Sequence, residues 1–338
     1  MSDRQRRLAE FLGANGWKWS DSSPLADDAS FRRYRRLSDG QRRAVLMDAP
    51  PPMEDIRPFA RVARHLRTLG LSAPAVLAED DTLGALLLED LGDDTFTRLL
   101  EAGADETTLY ALAVDVLVHL HRQTTRAGVP EWLEPYDDDR LIEEAVLLTD
   151  WYLPEIFGAP TPDAAREAYV AAWISVFPII RAAPPTLVLR DFHVDNLMRL
   201  DGRTGIAACG LLDFQDALAG SPAYDLMSLV EDARRDIGDA LKTAMVDRYL
   251  AAFPDLDRDR FTSAFTVLAA QRHAKVIGIF TRLCRRDGKS GYLRHIPRVW
   301  RLLEQSLRHP ALGAVAGWFD TYVPAESRGV PQCRPAAE

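Results

Sequence analysis

Cysteine is scarce in this chain: three in 338 residues, Cys209, Cys284 and Cys333, with no metal-ligand spacing among them. An odd, scattered set of thiols argues against a disulfide scaffold or a cysteine-built metal site and fits a reducing compartment. Long apolar runs are also lacking. No stretch approaches the ~18 uncharged residues of a membrane span, and the opening MSDRQRRLAEFLGANGW carries charges but no signal-peptide core. These absences predict a cytoplasmic chain without a membrane partner. Positive charge is in deficit, 41 Lys and Arg against 50 Asp and Glu, for a net charge of −9. Nucleic-acid binding, which favours a basic face, is therefore not expected. Internal repeats are absent.

What is present is an ordinary globular composition, 47% apolar and 27% charged, and enough chain for two lobes with their own cores. Residues 1–89 read as mixed α/β. A short helix over about 3–15 is followed by an apolar-poor segment, and then YRRLS and RRAVLM flank Asp39-Gly40, a two-residue hairpin signal. Phe59, Val62, Ala63, Leu66 and Leu69 fall at helical spacing, with Pro58 tolerable in the first turn. A strand near 76–78 and the apolar run LGALLLEDLG complete a small sheet that ends in a turn at residues 89–92. Beyond it helical periodicity takes over, at 105–121, 139–153 and 163–181. It is interrupted between residues 186 and 213 by two short strands around a tight Asp201-Gly202 turn. The fold class is thus α+β with two lobes. Residues 1–89 form an N-terminal lobe with a small β-sheet and one helix, and residues 90–92 a hinge. Residues 93–325 form a larger, mostly helical lobe, and residues 326–338 a flexible tail.

The chemistry concentrates in LVLRDFHVDNLM. An apolar strand feeds a polar loop in which Asp191 is followed by Asn196, and a second apolar strand later delivers Asp213-Phe214. Phosphoryl transfer needs a carboxylate to orient the attacking hydroxyl and accept its proton. It also needs an amide and a second carboxylate to hold Mg²⁺ against ATP phosphates. A lone Asp-x₄-Asn is common. With a strand before each element and Asp-Phe at this distance, the order is that of protein kinases, and a protein-kinase-like fold follows.

LRDFHVDN resembles the catalytic loop of the aminoglycoside phosphotransferase and choline kinase-like family, and LLDFQDALAGSPAYDL resembles that family's metal-binding run. The resemblance implies ATP and Mg²⁺ as cofactors, Asp191 as catalytic base, Asn196 and Asp213 as metal ligands, and Asp225 as a structural carboxylate supporting the loop. Glu89 and Leu91 would flank the adenine-reading hinge. Two departures stand out. Arg190 replaces the family's glycine. The third strand reads AVLM, with Met47 where the phosphate-binding Lys belongs, and Phe59 falls where its Glu partner would sit. Both halves of an ion pair are lost together, which is tolerable where losing one is not. Some other cation must then face the phosphates. Arg32 and Arg33, beside the ATP-covering segment that includes Ser30 and Phe31, are the candidates; a solvated pair of arginines is the alternative.

LADDASFRRYRRL, AVLMDAPPPMED and QRHAKVIGIFTRLCRRDGK are similar to the anomeric sugar kinases of cell-wall recycling. The resemblance implies phosphorylation of the 1-hydroxyl of N-acetylmuramate and N-acetylglucosamine, with a small amino sugar and ATP as partners. Asp150 and Trp151 are candidate acceptor residues, an aromatic face beside a carboxylate, though Trp151 could be core. His193 could meet a sugar hydroxyl or a phosphate, or only brace its loop. Arg272 and Lys275 lie in a strongly basic helical run, 271–289, that is either a solvated face or an attractor of an anionic acceptor. His119 and His121, two apart on a helix, read as packing rather than metal ligands. Competing functions are a kinase of an aminoglycoside, choline or another sugar, and a pseudokinase scaffold. The basic helix weighs against a polycationic acceptor, and retention of Asp191, Asn196 and Asp213 weighs against the scaffold.

Overall fold

The computed structural model describes residues 1–25 and 31–332. They divide into two compact units, Met1–Leu120 with Val194–Ala217, and His121–His193 with Leu218–Glu338. The chain crosses from the second unit back to the first between His193 and Val194, within the Asp191 loop.

Unit 1 opens with helix α1 (Asp3–Ala14), whose start is a capping box: the Ser2 hydroxyl accepts the Gln5 N–H and the Gln5 side chain accepts the Ser2 N–H. A five-stranded antiparallel sheet follows, built from β1 (Ser22–Pro24), β2 (Arg33–Ser38), β3 (Arg43–Asp48), β4 (Val76–Asp80) and β5 (Ala85–Glu89) in the order β1-β2-β3-β5-β4. Alternation puts Leu37, Ala44, Leu46, Ala85 and Leu87 into one core with Leu8 and Leu12 of α1. Helix α2 (Arg57–Thr68) buries Phe59, Val62, Ala63 and Leu66, the stripe its spacing predicts. The hairpin between β2 and β3 differs from expectation. Ser38 pairs with Arg43, so the loop is residues 39–42, longer than the predicted two. The Asp39 carboxylate accepts the N–H groups of Gln41 and Arg42, and this local bond replaces the tighter turn.

Helices α3 (Phe96–Glu101) and α4 (Glu106–Ala127) follow, α4 running on past the end of the unit. Unit 2 then contains α5 (Asp138–Ala145), α6 (Leu153–Phe157) and α7 (Asp163–Val176). The periodic stretch predicted as one helix over 139–153 is interrupted by a widened π turn at Leu148–Tyr152. Pro154 explains part of this: it lacks the N–H that would bond four residues back, and its ring crowds the Asp150 carbonyl.

Next come β6 (Thr186–Val188), β7 (Leu197–Arg199), β8 (Cys209–Leu211) and β9 (Leu218–Gly220). β6 pairs with β9 in unit 2, and β7 with β8 in unit 1. The Asp201-Gly202 turn is present, with the Arg203 N–H on the Leu200 carbonyl at 3.4 Å and Gly202 at a φ of +80°, but the β7–β8 connection is longer, residues 200–208, because the 3₁₀ turn Gly205–Ala208 also intervenes. Unit 2 ends with α8 (Ala223–Val230), α9 (Asp239–Ala251), α10 (Arg258–Asp287), α11 (Ile296–Leu307) and α12 (Gly313–Tyr322).

The 30-residue α10 is its axis. It is capped by Asp257, whose side chain accepts the Arg260 N–H, and is stopped at Gly288 in the left-handed conformation. Its middle is buried from Val267 to Gly278, so Arg272, His273 and Lys275 of the basic run are not on a solvated face, whereas Arg285 and Arg286 near its end are 41% and 52% exposed. At Gly278 a Cβ would stand 2.3 Å from the Leu147 carbonyl carbon; α10 crosses beside the widened turn at backbone contact, which only glycine permits. Residues 326–332 are docked: Arg328 donates to Glu304 and the Val323 carbonyl and lies over the Trp300 ring. No helix among the described residues is long and apolar enough to cross a membrane.

Candidate active site

In unit 2 the candidate residues start where β6 ends. Asp225, fully buried in the first turn of α8, accepts the N–H groups of Leu189 (2.6 Å) and Arg190 (2.9 Å), fixing the exit from the strand. Burial pushes its carboxyl up to about 7 in spite of these two amides and the Arg272 charge. Arg190 takes a left-handed φ of +71°, the conformation a glycine would adopt without cost, at a penalty of roughly 1–2 kcal/mol. Its backbone bond to Asp225, its ion pair with Glu144 and its stacking over Tyr136 hold it there.

The Asp191 carboxylate follows, 3.3 Å from the guanidinium of Arg272, which also donates to the Tyr224 hydroxyl at 3.0 Å. Burial alone would raise the Asp191 pKa, but the charges of Arg272 and Lys275, with His193 and Arg190 behind them, outweigh it and hold the carboxyl well below its ordinary range. Behind Asp191, Glu144 receives Lys275 (2.7 Å), Arg190, the Tyr136 hydroxyl and Gln271 (3.3 Å). Burial opposes its ionisation, yet Lys275 and Arg190 keep it at about 2. His193 is buried, with Arg234 Nη1 at 3.4 Å from its Nε2.

In unit 1 the candidate metal ligands are set by strand pairing. The Asn196 carbonyl accepts the Leu212 N–H, extending the β7–β8 ladder, and the Asn196 side-chain amide donates to Asp213 at 3.4 Å. Asp213 has a φ of +56°, a second left-handed non-glycine residue, and also receives Gln215 at 2.9 Å. Asp195 is tied to the Thr97 hydroxyl. Arg32 is mostly buried between Glu54 (3.4 Å) and Asp213 (4.0 Å). The donor pair is an amide and a carboxylate oxygen beside an arginine. It fits Mg²⁺, which takes hard oxygen ligands and commonly uses one or two carboxylates with substrate phosphates. Among the described residues no cluster of three or more His, Cys, Asp or Glu could hold a metal by itself.

Other predicted residues are placed as follows. Phe31 is exposed and donates its N–H to Glu54, Arg33 is exposed, and Ser30 lies outside the described residues. Arg32, not Arg33, is therefore the cation at Asp213. Met47 is buried, and Phe59 packs against Phe214 with ring centroids 4.9 Å apart, an apolar contact where an ion-pair partner was sought. Glu89 gives its N–H to the Ala75 carbonyl, and its carboxylate accepts the Ala75 N–H, Arg67 and Arg203; Leu91 is half-buried. Asp150 is exposed and bound to Arg166 through two bonds, with Trp151 half-buried beside it, and neither is brought to the Asp191 cluster by a hydrogen bond or ion pair given among the described residues. Arg272 and Lys275 lie in that cluster, Arg272 on Asp191 and Tyr224 and Lys275 on Glu144. His119 bonds the Leu69 carbonyl and His121 the Tyr249 hydroxyl.

Glu144, Tyr136, Glu54 and Arg234 escaped the sequence reading. The one available signal for Glu144 was indirect: cations spaced three apart on a buried helix face demand a carboxylate partner.

A small antiparallel sheet with helices α1 and α2, a helical remainder and an Asp-x₄-Asn loop together define a phosphotransferase of the protein-kinase-like fold. Residues 21–261 match the phosphotransferase enzyme family, and the chain belongs to it. It is 38% identical to the N-acetylmuramate/N-acetylglucosamine kinase of Caulobacter vibrioides, over 97% of this chain and 99% of the relative. It is 39% identical to the kinase of the same name from Pseudomonas aeruginosa, over 90% of each chain. Similar solved structures include the streptomycin–ATP–APH(2'')-IIa ternary complex (TM-score 0.58, 16% identity, 93% and 99% coverage). The choline kinase LicA of Streptococcus pneumoniae is another (TM-score 0.60, 11% identity, 91% and 100% coverage). At these identities they show the fold alone.

Proposed function

We propose that this chain uses ATP to phosphorylate the anomeric 1-hydroxyl of N-acetylmuramate and N-acetylglucosamine, a step of peptidoglycan recycling in the cytoplasm. The observation that carries the reading is end-to-end similarity to kinases named for those two sugars. The Asp191 loop, an ionised carboxylate held by Arg272, suits the chemistry.

In the reaction the sugar hydroxyl oxygen attacks the γ-phosphorus while the bond to the β–γ bridging oxygen breaks and ADP leaves. Asp191 accepts a hydrogen bond from the hydroxyl and takes its proton as the new P–O bond forms. With cations keeping it weakly basic, its main contribution is orientation, which suits a loose transition state that needs little proton abstraction early. Asn196 and Asp213 are the residues that would hold Mg²⁺, which when bound neutralises charge on the β- and γ-phosphates. Arg32 is the reading's substitute for the missing strand lysine. Arg190 and Lys275 are paired with Glu144 and Arg272 with Asp191, so the preference for an amino sugar over a polycationic acceptor rests on the similarity to the sugar kinases and not on the charge of this cluster.

The test is ATP turnover by the purified chain against N-acetyl sugars, choline and aminoglycosides, with the product identified by phosphorus NMR. A 1-phosphate of the two N-acetyl sugars is expected. Turnover confined to the amines, or a phosphate on another hydroxyl, would overturn the reading.

A further inference from the structure

Beside the Asp191 loop, unit 2 carries a second set of cations that phosphoryl transfer does not use. Arg234 lies in the segment after α8, 3.4 Å from His193 Nε2 and 3.9 Å from Asp232, whose carboxylate also accepts the Arg234 N–H at 2.9 Å. α11 faces the same place. Arg298 donates to the Ala233 carbonyl at 3.4 Å, and Arg298 and Arg301 share the single carboxylate of Asp236, at 3.0 and 2.8 Å. The His295 imidazole sits 3.4 Å from Arg298 and packs on Phe280. Its pKa is lowered by burial and then by Arg294, Arg298 and Arg234, so the charges of three guanidiniums are felt at one point. Arg234, Arg298 and Arg301 thus lie against Asp232 and Asp236, in a chain whose net charge is −9.

Accessibility separates this set from the cations of the base. The side chains of Arg234 and Arg298 are 33% and 24% exposed. Those of Arg272 and Lys275 are 10% and 8% exposed and are committed to Asp191, Tyr224 and Glu144. An incoming anion would have to break buried pairs to reach Lys275, but meets Arg234 from solvent.

N-acetylmuramate differs from N-acetylglucosamine by a lactyl ether at the 3-position that ends in a carboxylate. The 3-position is two ring carbons from the anomeric carbon. With the 1-hydroxyl addressed by Asp191, a cation that receives this carboxylate must flank the base loop without belonging to it. Arg234, one imidazole away across His193, is so placed. Resting on the sugar-kinase reading above, we propose that Arg234, backed by Arg298, receives the lactyl carboxylate of N-acetylmuramate and sets the preference between the two sugars. A guanidinium suits the role because its planar fork matches a carboxylate with two parallel hydrogen bonds.

The experiment compares kcat/KM for the two sugars in the full chain and in Arg234→Met and Arg234→Lys. The ratio favouring muramate should fall about tenfold or more in Arg234→Met, chiefly through KM, as expected for a lost charge-assisted bond. Arg234→Lys should restore part of it. The unaltered chain should also use the neutral amide of N-acetylmuramate about tenfold less well than the acid, and Arg234→Met should not tell the two apart. An unchanged ratio, or equal losses for both sugars, overturns the proposal. Should Arg234→Met fail to fold, equal use of acid and amide by the unaltered chain overturns it as decisively. If the unaltered chain phosphorylates neither sugar, the sugar-kinase reading falls first and takes this one with it; turnover of both with an unmoved ratio leaves that reading standing.

Discussion

Asp191 works under a constraint set by its neighbours. Arg272, Lys275 and Arg190 favour its ionised form against the cost of burial, so it is always available as an acceptor but is a weak base. Asp191→Asn keeps the shape and a hydrogen-bond acceptor but loses the charge and the ability to take a proton. Turnover should drop by roughly 10²–10⁴, the worth of a positioned general base, while calorimetry shows Mg-ATP binding unaltered. Near-normal turnover in a folded variant would remove Asp191 from the mechanism. Arg272→Met tests the electrostatics separately. Without that charge the carboxyl pKa rises toward its ordinary value, the base is protonated at higher pH, and the acid limb of the kcat profile must move to higher pH. A loss of activity with an unmoved limb would make Arg272 a packing residue only. At this scale the sequence was most legible where chemistry is fixed by local spacing: Asp191, Asn196 and Asp213 announce themselves. Glu144 did not, because its meaning depends on Lys275, 131 residues away. Arg234 did not either, because nothing in the sequence brings it beside His193.

The helix α10 shows the same limit at the scale of an element. Its basic run was legible, but the burial of that run was not, because lysine and arginine are usually found at the surface. Period and composition give the face, and only tertiary pairing says whether a charged face is wet. In the sequence Lys275 belongs to a run that is either a solvated face or an attractor of an anionic acceptor; in the structure it bonds Glu144 at 2.7 Å in a buried cluster. Lys275→Met leaves Glu144 with Arg190 as its remaining cation. Breaking one side of a buried pair costs about 3–5 kcal/mol, and Arg190 should keep the loss toward the lower end. A lowered denaturation midpoint and equal losses of kcat/KM for both sugars are expected. A selective rise in KM for N-acetylmuramate, with stability intact, would return Lys275 to the acceptor. The same argument covers α5, where a continuous helical pattern concealed the widened turn that Pro154 and the close approach of Gly278 accompany.

For the whole molecule, the succession of sheet, then helices, was legible because strand signals give way to mostly helical periodicity near residue 92, with one strand-bearing interruption at 186–213. The return of Val194–Ala217 to the unit of the sheet was not, since it rests on long-range bonds: Leu211 N–H to the Ser72 carbonyl and the Ser72 hydroxyl to the Ala207 carbonyl. This division assigns the base to unit 2 and the proposed metal ligands and phosphate cation to unit 1, so the two substrates should be separable by mutation. Arg32 decides the nucleotide side. The strand position that should carry a lysine is the buried Met47, and Phe59 is occupied with Phe214; neither can meet a phosphate charge. Arg32 is held by Glu54 and reaches Asp213 at 4.0 Å, so it sits at the carboxylate that would share Mg²⁺ with the phosphates. Removing it has two opposing effects. Asp213 loses a competing cation, which favours the metal, while the phosphates lose a partner worth about 1.5–3 kcal/mol as a charge-assisted bond. If the phosphate contact dominates, Arg32→Met raises the KM for ATP about tenfold or more and leaves the KM for the sugar near its original value. Asp213→Ala removes the metal ligand itself and should abolish Mg²⁺-dependent ATP binding. Titration calorimetry with Mg-ATP separates the cases: tighter binding in Arg32→Met would show Arg32 to be only a placeholder for the metal. Unchanged affinity in both variants would move the nucleotide site away from Asp213 altogether.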